Sequence, residues 1–512
     1  MKKVLLTMIG LFVLVFALSG ISYGWQGRMG GMEDPYGLVQ DESDFLIHPA
    51  KIAKGEGVKF YGDYRFTFTD VPKWDNELHI FNSAGTLFYI YPKETSGQEY
   101  RHEALLGSSF PLGPGRMGVF FQYSGRRGDY DGKETELDTP ASFFHHEYDL
   151  RSDFDNFSFR LLYGLPVGSF KAGGEVQVSY RQEENRLLFN QDGLTMRVFI
   201  LNDYLDGLIS PECLFPFMLP YDSRYWEALF KGSLEGKVGP LDLELTLRAG
   251  FPFGGENKYE YDRQSSSFAF RLDGDVTGWR IGGDLWARYL LANDFSLPFL
   301  VRIDYQEKTR DGDGPGLFGL AGDNFSYKNK EQSLHLTLGG GLDKELAKGA
   351  KIAAGIYYNY LQGSNDFDVR QSGVPPRIDD YSDFPDSTEH QVMLRLAGEL
   401  ALSPIINLRM GLAPFYGWVR EDFKFTRSFL TSDTDDVPTD GFHWGIAASV
   451  GGTIKFKAIT LEPFMNFGYQ QLHLKGDGSK IGSVGNLSFL YDMSKDRDEW
   501  SIGGGLSVLY DL

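Results

Sequence analysis

From Leu241 to Phe251 the chain alternates with a period of two. Leu241, Leu243, Leu245, Leu247, Ala249 and Phe251 fall on one side, and Asp242, Glu244, Thr246, Arg248 and Gly250 on the other. The pattern recurs. Trp279, Ile281, Leu285, Ala287, Tyr289 and Leu291 oppose Arg280, Asp284 and Arg288. Val392, Leu394, Leu396, Leu400 and Leu402 oppose Arg395 and Glu399. Phe442, Trp444, Ile446, Ala448, Val450, Ile454 and Phe456 oppose His443, Ser449, Thr453 and Lys455. At the end of the chain, Trp500, Ile502, Leu506, Val508, Tyr510 and Leu512 share one face. A helix with charges at every second position is polar all round, so the period predicts strands.

Similar segments lie near 58–70, 99–112, 115–126, 154–165, 170–183, 225–237, 266–277, 296–309, 327–345, 350–364, 405–421 and 459–475. Strands with one apolar and one polar face fit a wall with lipid outside and a wet lumen inside. The fold class expected is all-β: a transmembrane antiparallel β-barrel of about 16 strands, with 14 to 18 open. The segments number about seventeen, whereas two ends on one rim require an even count. Two consecutive short turns collide around Thr277 to Phe295, so a missed or merged strand is expected within Glu77–Tyr91 or Leu194–Leu201. Short turns are expected at Leu112–Gly115, Lys237–Pro240, Ser403–Pro404 and Lys457–Ala458. Long loops are expected at 127–153, 184–224, 310–326, 364–387, 422–440 and 475–498. A soluble sandwich or propeller is the other all-β option, but no blade-length repeat is present.

The N-terminus sets the compartment. Lys2 and Lys3 precede an apolar run from Val4 to Leu18, and Ser22 and Gly24 are small residues at a cleavage position. This reads as a signal peptide over 1–24. The expected organisation is then a pre-strand segment at 25–57 and a barrel at 58–512. The compartment expected is the bacterial outer membrane, of a Gram-negative-type envelope, and the final strand resembles the signal read by outer-membrane assembly machinery. That signal usually ends in Phe; here the last residue is Leu512.

Aromatic residues make up 15% of the chain in alternating patterns, unlike helical membrane proteins or ordinary soluble α/β enzymes. The net charge of −20 argues against a nucleic-acid partner. Acid runs such as Asp379, Asp380, Asp383 and Asp386 read as solvated loops, or as sites where cations bridge to lipopolysaccharide. Outer-membrane lipid is the other expected partner. Cys213 is the only cysteine, so no intramolecular disulfide or thiolate metal site is expected.

Residues 25–57 do not alternate. Gly30, Gly31 and Met32 are followed by Asp41-Glu42-Ser43-Asp44 and then by His48-Pro49-Ala50, just before the first strand. This segment resembles the N-terminal part of the outer-membrane fatty-acid and hydrocarbon transporter family. There a glycine-containing stretch and a D-x-x-S-like run precede an Asn-Pro-Ala motif, with His48 here in place of Asn. The resemblance covers only this segment. It implies a hatch folded inside the barrel, carried by Asp41, Asp44, His48, Pro49 and Ala50. Burial of Phe45, Leu46, Ile47 and Ile52 argues the same way, because an exposed segment this apolar is unfavourable. Its acids are expected to pair with lumenal arginines; a linker or periplasmic docking peptide is the alternative.

The inward face is expected to carry Arg271, Asp273, Arg280, Asp284, Arg288, Arg302, Asp304, Arg395, Glu399 and Arg409. They form either a salt-bridged filling or a charged eyelet. The segment 187–220 is unusually apolar. Phe189, Phe199, Leu214, Phe215, Phe217 and Met218 are candidate contacts for a hydrophobic solute, or a self-packed lid.

No catalytic constellation stands out. Asp440 and His443 are too ordinary a pair among 70 acids and nine histidines. His335, His443 and His473 are expected inward, without a nucleophile. His145-His146 alone seldom binds metal. Asp311-Gly312-Asp313 starts like a calcium loop, but Gly322 stands where the bidentate Glu belongs; a tight turn is expected. The functional expectation is a non-enzymatic channel, without cofactor or metal, passing small hydrophobic solutes by diffusion. An open polar porin, an outer-membrane hydrolase and a structural barrel are the alternatives.

Overall fold

The computed structural model describes residues 29, 30, 32, 42–82, 87–139, 142–189, 221–262, 269–291, 295–315, 324–347, 350–371, 381–403, 405–426, 434–477, 481–484 and 487–512. The signal peptide, Asp41 and residues 190–220 lie outside them.

The strands in chain order are β1 (Lys59–Asn82), β2 (Leu87–Leu112), β3 (Gly115–Thr139), β4 (Ser142–Val167), β5 (Phe170–Phe189) and β6 (Tyr221–Val238). Then come β7 (Leu241–Asp262), β8 (Ala269–Gly274), β9 (Val276–Leu290), β10 (Phe295–Pro315), β11 (Asn324–Ala347) and β12 (Ala350–Gln371). The last are β13 (Tyr381–Ser403), β14 (Ile406–Thr426), β15 (Thr434–Phe456), β16 (Ile459–Asp477), β17 (Ile481–Val484) and β18 (Leu487–Asp511). Each barrel strand pairs antiparallel with its neighbours in sequence. β1 pairs with both β2 and β18, from Lys59 opposite Asp511 to Asn82 opposite Phe489, and so closes the ring. The result is a closed 16-strand barrel, with β17 as a small hairpin on β18 outside it.

The even count has a specific cause. β8 and β9 are one barrel strand interrupted at Asp275. β9 pairs with the first half of β7, as Leu241 opposite Tyr289, and β8 with its second half, as Asn257 opposite Gly274. The surplus segment is therefore half of a split strand, and among the described residues the closed ring lacks none; Leu194–Leu201 lies outside them. Within Glu77–Tyr91 the chain is the end of β1 and the start of β2. Gly254, at φ 57, occupies the left-handed region where β7 carries one extra residue against its neighbours. Such a bulge shifts the alternation by one.

Gly113, Gly168 and Gly239, at φ 57, 60 and 61, begin two-residue loops at one rim. A two-residue hairpin needs positive φ at that place, which glycine supplies without a Cβ clash. At the other rim the strands run on. β4 has 26 residues, whereas a tilted strand crosses a bilayer in about 9–11. Much of what hydropathy reads as loops at 127–153 and 310–326 is paired strand. Asp311-Gly312-Asp313-Gly314 is extended β10 paired with β11, not a turn.

The outer wall is apolar: Leu106 is 66% exposed, Phe121 61%, Leu247 60% and Ile356 61%. Only hydrocarbon makes such a surface favourable. Aromatic pairs border this band. Phe60 and Tyr510 mark the short-turn side. Phe68 with Tyr100 and Trp500, Tyr180 with Trp226, and Trp279 with Tyr305 mark the other.

Candidate functional site

The lumen is occupied at its short-turn end. Residues Glu42–Leu46 and Pro49–Lys54 form two short 3-10 turns inside the wall, the plug. Asp44 O accepts from the amides of Ile47 and His48, and His48 O from that of Lys51. Pro49 opens the second turn, where its missing N–H costs nothing.

One side of the plug is apolar. Phe45, Leu46 and Ile52 pack with inward-facing Tyr61, Leu105, Phe120, Leu162 and Leu509. The Phe45 ring lies 5.5 Å from Tyr61 and 5.4 Å from Phe120. Farther along the chain toward the N-terminus, Met29 and Met32 pack on Trp286, Leu300, Ala353, Tyr357 and Ala397. A lumen lined only for water does not carry such patches.

The other side is polar and fully engaged. The Ala50 amide donates to Ser233 Oγ at 2.6 Å. His48 Nδ1 shares a hydrogen bond with Thr246 Oγ1 at 2.5 Å, and its Nε2 lies 3.5 Å from Glu244. Lys51 Nζ reaches Asp44 at 2.7 Å, Glu244 at 3.0 Å and the face of Trp286 at 4.9 Å. Lys54 pairs with Glu235. Arg160 and Lys231 donate to Leu46 O at 2.5 and 3.0 Å while both hold Glu175. Arg116 donates to Gly57 O at 2.7 Å where the chain leaves the plug for β1. Burial, and then the Lys51 ammonium, hold the His48 imidazole down at about 3, so it is neutral at pH 7.

The pairing differs from expectation in sign. Asp44 bonds to the plug's own Lys51 at 2.7 Å. Arg248, Arg280, Arg288, Arg302 and Arg409 of the wall pair with wall acids. It is the plug's lysines that meet wall carboxylates, because desolvated ammonium groups at this depth need buried counter-charges.

Next to the plug, Arg248 bridges Asp284 at 2.7 Å and Asp304 at 2.6 Å; Arg302 holds Asp284 at 2.5 Å and Arg280 reaches Asp304 at 3.4 Å. Arg288 and Lys351 share Asp343 at 2.7 and 3.1 Å. Arg409, fully buried, joins Glu399 at 2.9 Å to Glu462 at 3.1 Å. Arg395 lies over Tyr357 at 5.2 Å. Thus Arg280, Asp284, Arg288, Arg302, Asp304, Arg395, Glu399 and Arg409 all face inward, most in ion pairs within the wall. Arg248, Arg160, Lys231, Glu175 and Glu244 face inward as well, on the parity of their strands.

Asp273 is a correction. Register sets it opposite Lys258 and Asp313, on the outer face beyond the girdle rather than in the lumen. The register of β8 and β9 against β10 is unbroken across Asp275, so Asp273 takes the outward parity of Trp279 and Ile281, opposite to Arg280 and Asp284. Arg271 shares the parity of Asp273, and only its backbone is described. His473 also faces outward, against Phe442 at 5.6 Å. His443 faces inward to Glu389 at 3.2 Å, on the opposite side of β15 from Asp440, so those two do not form a pair. Of the candidate solute contacts, Phe199, Leu214, Phe215, Phe217 and Met218 lie outside the described residues, and Phe189 ends β5 with only its backbone described.

No family model matches the chain, and no curated protein matches it. Among solved structures it is similar to the Pseudomonas putida toluene transporter TodX, at 12% identity over 97% of this chain and 100% of that one, with a TM-score of 0.40. It is similar to a Pseudomonas aeruginosa FadL homologue at 9% identity, over 97% and 99%, with a TM-score of 0.41. It is also similar to the Ralstonia pickettii toluene transporter TbuX at 11% identity, over 97% and 100%, with a TM-score of 0.36.

Proposed function

We propose that this barrel resides in a bacterial outer membrane and passes small hydrophobic solutes by diffusion, without catalysis. The observation that carries the reading is the plug. A segment anchored inside the wall by buried ion pairs and an apolar cluster stands in the direct aqueous route at one rim. An open polar porin has no use for apolar surface inside its wall. Here Phe45, Met29 and Met32 meet Phe120, Trp286 and Tyr357 there, and an apolar solute can be handed along such contacts. In this reading the apolar 187–220 segment captures the solute outside. Outer-membrane lipid and lipopolysaccharide surround the wall, and the last strand serves assembly.

The test is uptake of labelled toluene and of a labelled fatty acid by proteoliposomes. Saturable uptake that is lost when 187–220 is deleted supports the reading. Uptake no faster than in protein-free liposomes overturns it.

A further inference from the structure

A second place in the lumen has chemistry unlike the plug. A cavity of about 240 Å³ is bounded by Gly30, Arg65, Thr67, Arg101, Glu103, Phe464 and Asn466, with Phe66 and Gly504 contributing wall. Four strands build it: β1, β2, β16 and β18. Gly503 and Gly505 stand opposite Thr67 and Arg65 in the register, and their missing side chains leave the space. At each, a Cβ would press on Asn466 or on Phe464.

Three features of this wall lack a counterpart. Arg101 on β2 stands directly opposite Arg126 on β3, both facing the lumen. Like charges directly across an antiparallel pair are destabilising. Neither guanidinium has a hydrogen bond or ion pair among the described residues. The amide oxygen of Asn466 is buried and also has no partner there. Arg65, by contrast, is held by Asp63 at 3.1 Å and lies over the Phe464 ring at 5.4 Å.

We propose that this cavity binds a small organic monocarboxylate. The carboxylate sits on Arg101 of the lining, whose guanidinium fork offers two parallel N–H donors, and its charge also offsets that of Arg126 opposite on β3. Glu103 in the same lining opposes a second negative charge on the ligand. Phe464, beneath Arg65, and the glycines of β18 close the floor of the cavity, and Asn466 Oδ1 accepts from a hydroxyl or water carried in with the ligand. The site is independent of the transport reading, because it needs only equilibrium binding.

The experiment is calorimetric titration of the full-length protein in detergent with sodium benzoate, benzyl alcohol and inorganic phosphate. Benzoate is expected to bind saturably, at least about tenfold more tightly than benzyl alcohol or phosphate, and less tightly as salt rises. Arg101→Gln is expected to weaken benzoate about tenfold or more, as loss of a charged hydrogen-bond partner does. Asn466→Leu, which fills the cavity from another strand, is expected to weaken it as well, and heat-modifiable migration on gels checks that each variant is folded. Equal binding of benzoate and benzyl alcohol overturns the proposal, as does phosphate bound as tightly as benzoate. Benzoate affinity unchanged in both folded variants also overturns it.

Discussion

Lys51 of the plug and Glu244 of β7 meet at 3.0 Å, with side chains 8% and 2% exposed. Removing one member of a buried pair strands the other, at roughly 3–5 kcal/mol. Lys51→Met is therefore expected to loosen the plug and raise ion leak across planar bilayers. Combining Lys51→Met with Glu244→Leu is expected to recover most of the closure, since a matched apolar replacement leaves no orphaned charge. A leak in the double variant as large as in the single one contradicts this account.

Phe45 is the apolar anchor. Phe45→Ala is expected to cost roughly 3–5 kcal/mol of plug docking through lost burial and the cavity left behind. Limited proteolysis in detergent reads it out. New cleavage within 42–57, with the barrel core intact, is the expected pattern.

Acid is expected to loosen the plug through His48. Its docked value of about 3 lies below the ordinary 6.5, so between these only the released form takes up the proton. His48 thus contributes stability fully above pH 6.5, and docking weakens as pH falls toward 3. Lys51 and Arg302 reinforce this shift, Asp284 and Asp44 oppose it, and Glu244 lies 3.5 Å away. His48→Asn keeps a partner for Thr246 without the titration. Conductance measured from pH 7 to pH 4 should rise less in that variant than in the wild type.

The lipid contact is tested on the outer face. Leu247→Arg is expected to destabilise the inserted barrel by roughly 2–4 kcal/mol, the depth-dependent cost of arginine against hydrocarbon. Arg248→Leu, one residue along and inward, is expected to act through Asp284 and Asp304 instead. Urea unfolding in lipid vesicles separates the two, because only the first should depend on bilayer thickness.

The alternation of Leu241 to Phe251 was enough to predict the wall, because lipid and lumen impose opposite demands on successive residues. It also placed Arg280, Asp284, Arg302 and Arg409 inward. It misled at Asp273, because beyond the girdle nearby apolar residues no longer mark the outer side, and only the unbroken register from Arg280 places Asp273 outward. Strand pairing above the girdle was hidden for a related reason: with water on both faces, residues such as Asp311 to Gly314 show no hydrophobic period. The burial of 42–54 against the wall was legible in Phe45 and Ile52. The plug's partners were not, because whether Asp44 meets a wall arginine or Lys51 depends on where the second turn brings Lys51.

The most direct test of the lumenal plug is single-channel conductance of the wild type beside Gly173→Val. A side chain at Gly173 would overlap the backbone of Pro49 and Ala50, so valine must push the plug off the wall while β5 keeps its pairing. The account predicts a wild type nearly closed to ions and a valine variant that conducts many times more. A wild type that conducts like an open barrel, unchanged by the valine, would contradict it.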